Sequence, residues 1–177
     1  MYIRRAAEGT TRRLAEDTEA RLLAALREVA LQLSLELVIF GDSPLPSFRE
    51  TLNLFSRAAF IVGVHGAGFS NMIVSPGGAL PPVQEGRLSP SPPSPPSPPS
   101  GTCTTVLEFV PPEPHAQYYA HLASTIGASY RSLAFNDTPA SYVSTNLTIP
   151  QEELALAIGA ITADLALVAP QCLALYP

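Results

Sequence analysis

Four short apolar runs constrain this chain more than any other feature: LELVIF (35–40), AAFIVGV (58–64), TVLEFV (105–110) and SYRSLAF (129–135). Each is short enough for a strand, rich in residues that favour one, and largely apolar on both faces. Between them lie stretches of helical period. Leu14, Leu22, Leu26, Val29 and Leu33 recur at helical steps and predict a helix over 11–33. Ser47 and Glu50 form a capping box and predict a helix over about 48–58. FSNMIVS (69–75) reads as a short helix or helical turn, and HAQYYAHLASTIG (115–127) as a helix stopped by Gly127. Thr148, Pro150 and Gln151 open a last helix running to about 168. The expected order is α-β-α-β-α-β-α-β-α. Buried strands that alternate with helices predict an α/β fold, a parallel sheet with helices on both faces. That is the pattern of a doubly wound, Rossmann-like half.

The expected organisation is one Rossmann-like domain over 1–170, interrupted by a Pro/Ser-rich insertion at 81–104, with a tail at 171–177. Nine of the nineteen prolines fall in 81–100, where a Ser-Pro-Pro repeat favours extended polyproline II over helix or ladder. The tract reads as a solvated surface insertion, a partner-binding or O-glycosylated segment, or a gene-model artefact. The formal charge of -5 argues against a nucleic-acid or anionic-membrane surface. All ten basic residues are arginine, so an anionic ligand must be held by arginine, by backbone N–H groups, or by both. No window reaches the roughly 18 apolar residues of a spanning helix, and the first residues lack the apolar core of a signal peptide. Two cysteines, Cys103 and Cys172, leave open one disulfide or none.

The residues with most chemistry sit in VGVHGAGFSN (62–71), where an apolar run ends on His65 and Gly66-Ala67-Gly68 follows. Ligands of open parallel sheets bind beyond the carboxyl ends of the strands. Gly66 and Gly68 permit positive φ and close approach of a ligand to the backbone. A helix starting at 69 would aim its N-terminus at the same place. His65 can then donate to a phosphate oxygen, and Asn71 can reach a ribose, a sugar hydroxyl or a loop carbonyl. A second reading stays open: HGAG is only a tight turn, with His65 bonded to a neighbouring carbonyl. No P-loop, GxGxxG or GxSxG pattern is present. No His/Cys/Asp cluster has metal-ligand spacing.

Taken with its flanks, the loop resembles the C-terminal part of family 61 glycosyltransferases. The residues that carry the likeness are His65, Gly66, Ala67, Gly68 and Asn71, then Pro76 and Gly77, Glu108 and Pro111, and Gly127 and Tyr130. Upstream, IRR and TRRLAED are similar to the family's arginine-bearing segments, with Arg4 in a serine's place if Arg5 matches the arginine. The resemblance implies the donor-binding half of an inverting GT-B enzyme that takes a UDP-sugar without metal or cofactor. It implies a glycan or glycoprotein acceptor, an acceptor domain and catalytic base elsewhere, and a place in the ER or Golgi lumen. Under it the 65–68 loop faces the diphosphate, Arg5 and Arg13 neutralise its charge, and Glu108 bonds the ribose hydroxyls. Arg5 and Arg13 also read as solvated helix-face arginines, and Glu108 as a loop cap or an arginine's partner. His115 and His121 read as surface residues. Asn136 and Asn146 head possible N-glycosylation sequons. The competing expectation is a non-catalytic fragment whose proline tract makes wall or partner contacts.

Overall fold

The alternating runs pack as their periodicity requires, with one strand added at the start of the chain. The computed structural model describes residues 1–5, 13–41, 44–75, 103–110, 118–134 and 147–173. The order is β1 (Tyr2–Ile3), α1 (Glu16–Gln32), β2 (Ile39–Phe40), α2 (Phe48–Ser56), β3 (Phe60–Val64), a 3-10 helix (Ala67–Val74), β4 (Thr105–Val110), α3 (Tyr118–Thr125), β5 (Ser129–Ala134) and α4 (Gln151–Leu173). All strand pairs are parallel, in the spatial order β2-β1-β3-β4-β5. This α/β fold is consistent with a Rossmann-like half.

β1 corrects the expected order, which began with a helix. Its two residues pair with β2 on one side and β3 on the other. Because β1 offers only Tyr2 and Ile3, the LELVIF run contributes only Ile39 and Phe40 to the ladder. Successive connections therefore leave β1 in opposite directions, which makes a topological switch point between β1 and β3.

Side chains alternate across the sheet. Tyr2, Phe60, Val62, Val64, Leu107 and Phe109 bury one face against Leu22, Leu23, Leu26 and Val29 of α1 and Leu154, Ile158, Ile161 and Leu165 of α4. Ile3, Ile61 and Val106 bury the other against Phe55 of α2, Phe69 and Met72 of the 3-10 helix, and Ala123 of α3. Leu14 is buried, but not in a helix. It bridges Leu147, and α1 begins at Glu16, after Ala15, which supplies no side-chain cap. The capping box at Ser47 and Glu50 forms as expected. Gly127 adopts φ +71°. Its N–H donates to Ser124 and that of Ala128 to Ala123, a Schellman stop that a side chain would strain.

Helix α4 outruns its expected end, and no described helix is long and apolar enough to cross a membrane. The described chain resumes at Cys103, inside the expected insertion. Cys103 and Thr104 are buried, and the Thr104 hydroxyl donates to the Ala58 carbonyl. The proline tract at 81–100, Pro76, Gly77, Pro111, His115, Asn136 and Asn146 lie outside the described residues. His121 is exposed on α3.

Candidate functional site

β3 sets the loop. Its N–H and C=O groups continue pairing one residue beyond the strand, where the His65 N–H donates to the Phe109 carbonyl of β4 at 2.9 Å. The period-2 pleat puts position 65 on the face of Ile61 and Gly63, the face covered by α3. There the His65 ring lies 5.3 Å from the Tyr119 ring, centroid to centroid, and Tyr119 also meets Phe69. Phe69 is fully buried and anchors the 3-10 helix beneath the sheet.

Glu108 is on the same face of β4 and is 2% exposed. Its Oε1 accepts from His65 Nδ1 at 2.5 Å, and its Oε2 accepts from the Tyr130 hydroxyl of β5 at 2.5 Å. A buried carboxylate needs donors on both oxygens, and these two supply them. Among the described residues Glu108 pairs neither with an arginine nor with a loop amide.

Arg5 reaches the loop from two residues past β1. Its Nη2 donates to the His65 carbonyl at 2.8 Å. A Cβ on Gly66 would lie 1.4 Å from that same Nη2. One of the two expected reasons for the glycines, positive φ, needs correcting at Gly66. Gly66 has φ 164° and ψ 172°, extended backbone open to any residue. What Gly66 provides is room for the Arg5 guanidinium. Gly68 provides room for Ile3, whose Cγ2 would lie 2.8 Å from an added Cβ. Asn71 donates to the Gly68 carbonyl at 3.2 Å, the loop-carbonyl option among the three foreseen. Ala67 begins the 3-10 helix.

The other candidates are not gathered here. Arg13 lies beside the Leu14–Leu147 bridge, its carbonyl accepting from the Leu147 N–H. Among the described residues no hydrogen bond or ion pair joins its side chain to the loop. Arg4 is held by Glu19, Nε to Oε1 at 2.9 Å, and the Tyr2 hydroxyl donates to the same oxygen. No group of three or more His, Cys, Asp or Glu among the described residues is placed to hold a metal ion. A cavity of about 260 Å³ does exist, lined in part by Met1, Leu35, Val38, Arg57, Ala59 and Cys103. It lies at the amino ends of the strands, the end that parallel sheets do not use for ligands.

Sequence reasoning missed two side chains that hold His65. Tyr119 and Tyr130 meet it, directly or through Glu108, only once β3, β4, β5 and α3 are in register. Tyr130 appeared only as part of a family resemblance.

Burial, then the hydrogen bond to Glu108 and that residue's charge, push the Tyr130 hydroxyl well above the usual tyrosine range. The sign follows directly. Above about pH 10 the unfolded chain loses this proton while the folded chain keeps it. The stability contributed below that pH is therefore lost as pH rises through the alkaline range. The urea midpoint should fall more steeply above about pH 10 in the wild type than in Tyr130→Phe.

The fold and loop define a doubly wound α/β domain with an arginine, a histidine and two close-approach glycines at its switch point. The glycosyltransferase 61 family model matches residues 1–80, the span from β1 through the 3-10 helix. That match supports membership of glycosyltransferase family 61 and supports a glycosyltransferase. His65, Gly66, Ala67, Gly68, Asn71, Arg5 and Arg13 fall inside it; Glu108 and Tyr130 lie beyond. No curated protein matches the chain.

Proposed function

We propose that the chain is the donor-binding domain of an inverting, metal-independent GT-B transferase that takes a UDP-sugar and glycosylates a glycan or glycoprotein. The observation that carries this reading is the meeting of Arg5 with the His65–Gly68 loop at the β1/β3 switch point. A departing nucleoside diphosphate gathers negative charge, and fixed donors aimed at it are the main service such a transferase supplies. Here Arg5, His65 and the positive end of the 3-10 helix would meet that charge. The acceptor and the catalytic base would belong to a further domain facing the loop. A disulfide at Cys103 favours an oxidising compartment, in keeping with the ER or Golgi lumen.

Calorimetric titration with UDP tests the reading. The wild type should bind, and His65→Ala should bind at least about tenfold more weakly, a loss of ~1.4 kcal/mol. Equal affinity, or no binding by either protein, would remove the site.

A further inference from the structure

Four glycines crowd the end of the first strand. A Cβ at Gly63 would lie 2.9 Å from the Ile3 carbonyl oxygen, and one at Gly68 would lie 2.8 Å from Ile3 Cγ2. A Cβ at Gly41 would overlap the Arg4 carbonyl, and one at Gly66 the Arg5 guanidinium. Gly159 of α4, by contrast, faces open space. The close-approach glycines converge on three consecutive residues, Ile3, Arg4 and Arg5. At Gly41 and Gly63 the obstacle is backbone, which cannot give way unless β1 moves. Gly66 differs. Its nearest neighbours are Nη2, Cζ and Nε of Arg5, the far end of a long, half-buried side chain. The extended backbone of Gly66, at φ 164° and ψ 172°, is open to any residue. The guanidinium stands where that residue's Cβ would be, and there its Nη2 donates to the His65 carbonyl at 2.8 Å. A guanidinium is a rigid planar fork, so one bond and one wall fix the direction of all its N–H groups.

We propose that Gly66 is a positioning residue: its missing Cβ seats the Arg5 guanidinium on the 65–68 loop, so that it acts on the donor through Arg5 rather than through its own backbone. The effect on a donor rests on the function proposed above; the seating of Arg5 does not. Alanine at this position leaves the loop backbone unstrained. It turns the guanidinium away, breaks the bond to the His65 carbonyl and moves a positive charge off the switch point. The result is a separation of effects, with binding lost and the fold kept. At Gly63 the same change meets the Ile3 backbone and costs stability instead.

A double-mutant cycle on the whole chain tests this, with Gly66→Ala, Arg5→Ala and the two combined. By UDP titration, Gly66→Ala should weaken binding at least about tenfold on its own, and less than about twofold when added to Arg5→Ala. Its urea midpoint should stay close to that of Arg5→Ala. Equal weakening by Gly66→Ala in both backgrounds would overturn the proposal. The Arg5 Nε–H resonance, assigned by its absence from Arg5→Ala, gives a reading without ligand. Gly66→Ala should shift it, and an unmoved signal in folded protein would overturn the seating. If Gly66→Ala alone does not fold, adding Arg5→Ala should restore folding; an unfolded double variant beside a folded Arg5→Ala would also overturn it. If the wild type does not bind UDP but Gly66→Ala moves the Arg5 signal, the seating stands and the proposed donor fails. If UDP binds and the two changes simply add, the donor site stands and the seating fails.

Discussion

Glu108→Ala should lower the unfolding free energy by roughly 3–5 kcal/mol, the range for removing one member of a buried charged network. Two donors lose their acceptor at once, the His65 Nδ1–H and the Tyr130 hydroxyl. Neither is fully exposed, so water replaces the lost bonds poorly. Binding should suffer as well as stability. His65 is 13% exposed at its side chain, and its ring would no longer be tied to β4. UDP affinity should drop by about tenfold or more, ~1.4 kcal/mol. Urea unfolding and calorimetry on one preparation read both effects. A Glu108→Ala protein with wild-type stability would show that the carboxylate is dispensable in the core.

Phe69→Ala carries the second large effect, through packing. Phe69 is fully buried, packs in the cluster with Ile3, Phe55 and Met72, and meets the Tyr119 ring at 5.4 Å. Truncation should cost about 3–5 kcal/mol, equivalent to a fall of roughly 10 °C in Tm for a chain of this size. The cavity would open under the start of the 3-10 helix. Tyr119 would lose one of its two ring contacts and the His65 ring part of its support. A loss of UDP affinity should therefore accompany the loss of stability, and Phe69→Leu should recover most of both. Thermal unfolding with UDP titration checks the pair. A stable Phe69→Ala protein would mean that the loop does not depend on this anchor.

The two effects show which parts of the molecule were legible in its sequence. Two of the four apolar runs became the buried strands β3 and β4 because burial on both faces is written into consecutive residues, whereas β5 is a half-exposed strand at the sheet edge. The capping box at Ser47 and the Gly127 stop were legible because each is a local bond pattern at fixed spacing. β1 was not legible. Two residues carry no period, and Tyr2–Ile3 is a strand only because β2 and β3 flank it. That omission hid the switch point, which is what brings Arg5 beside His65.

The loop itself was conspicuous, but the reason for its glycines was not. Their type suggested positive φ and close approach of a ligand to the backbone, whereas the structure uses the missing Cβ atoms to seat Arg5 and Ile3. Glu108 was picked out from the family resemblance. Its partners were hidden because they depend on the parity of β4 and β5, with Val106 opposite Tyr130 and Gly63 opposite Glu108. Arg13 shows the converse case. Its sequence neighbourhood resembled the family's, yet among the described residues no hydrogen bond or ion pair joins its side chain to the loop, and its backbone pairs with Leu147.

Backbone amide shift mapping with UDP tests the central claim most directly, because the switch-point loop and the cavity at the amino ends of the strands lie at opposite ends of the sheet. The switch-point site predicts perturbations at Arg5, His65, Gly66, Gly68 and Asn71, with weaker ones at Glu108 and Tyr130. Perturbations centred instead on Leu35, Val38, Arg57 and Ala59, around the cavity at the amino ends of the strands, would contradict it.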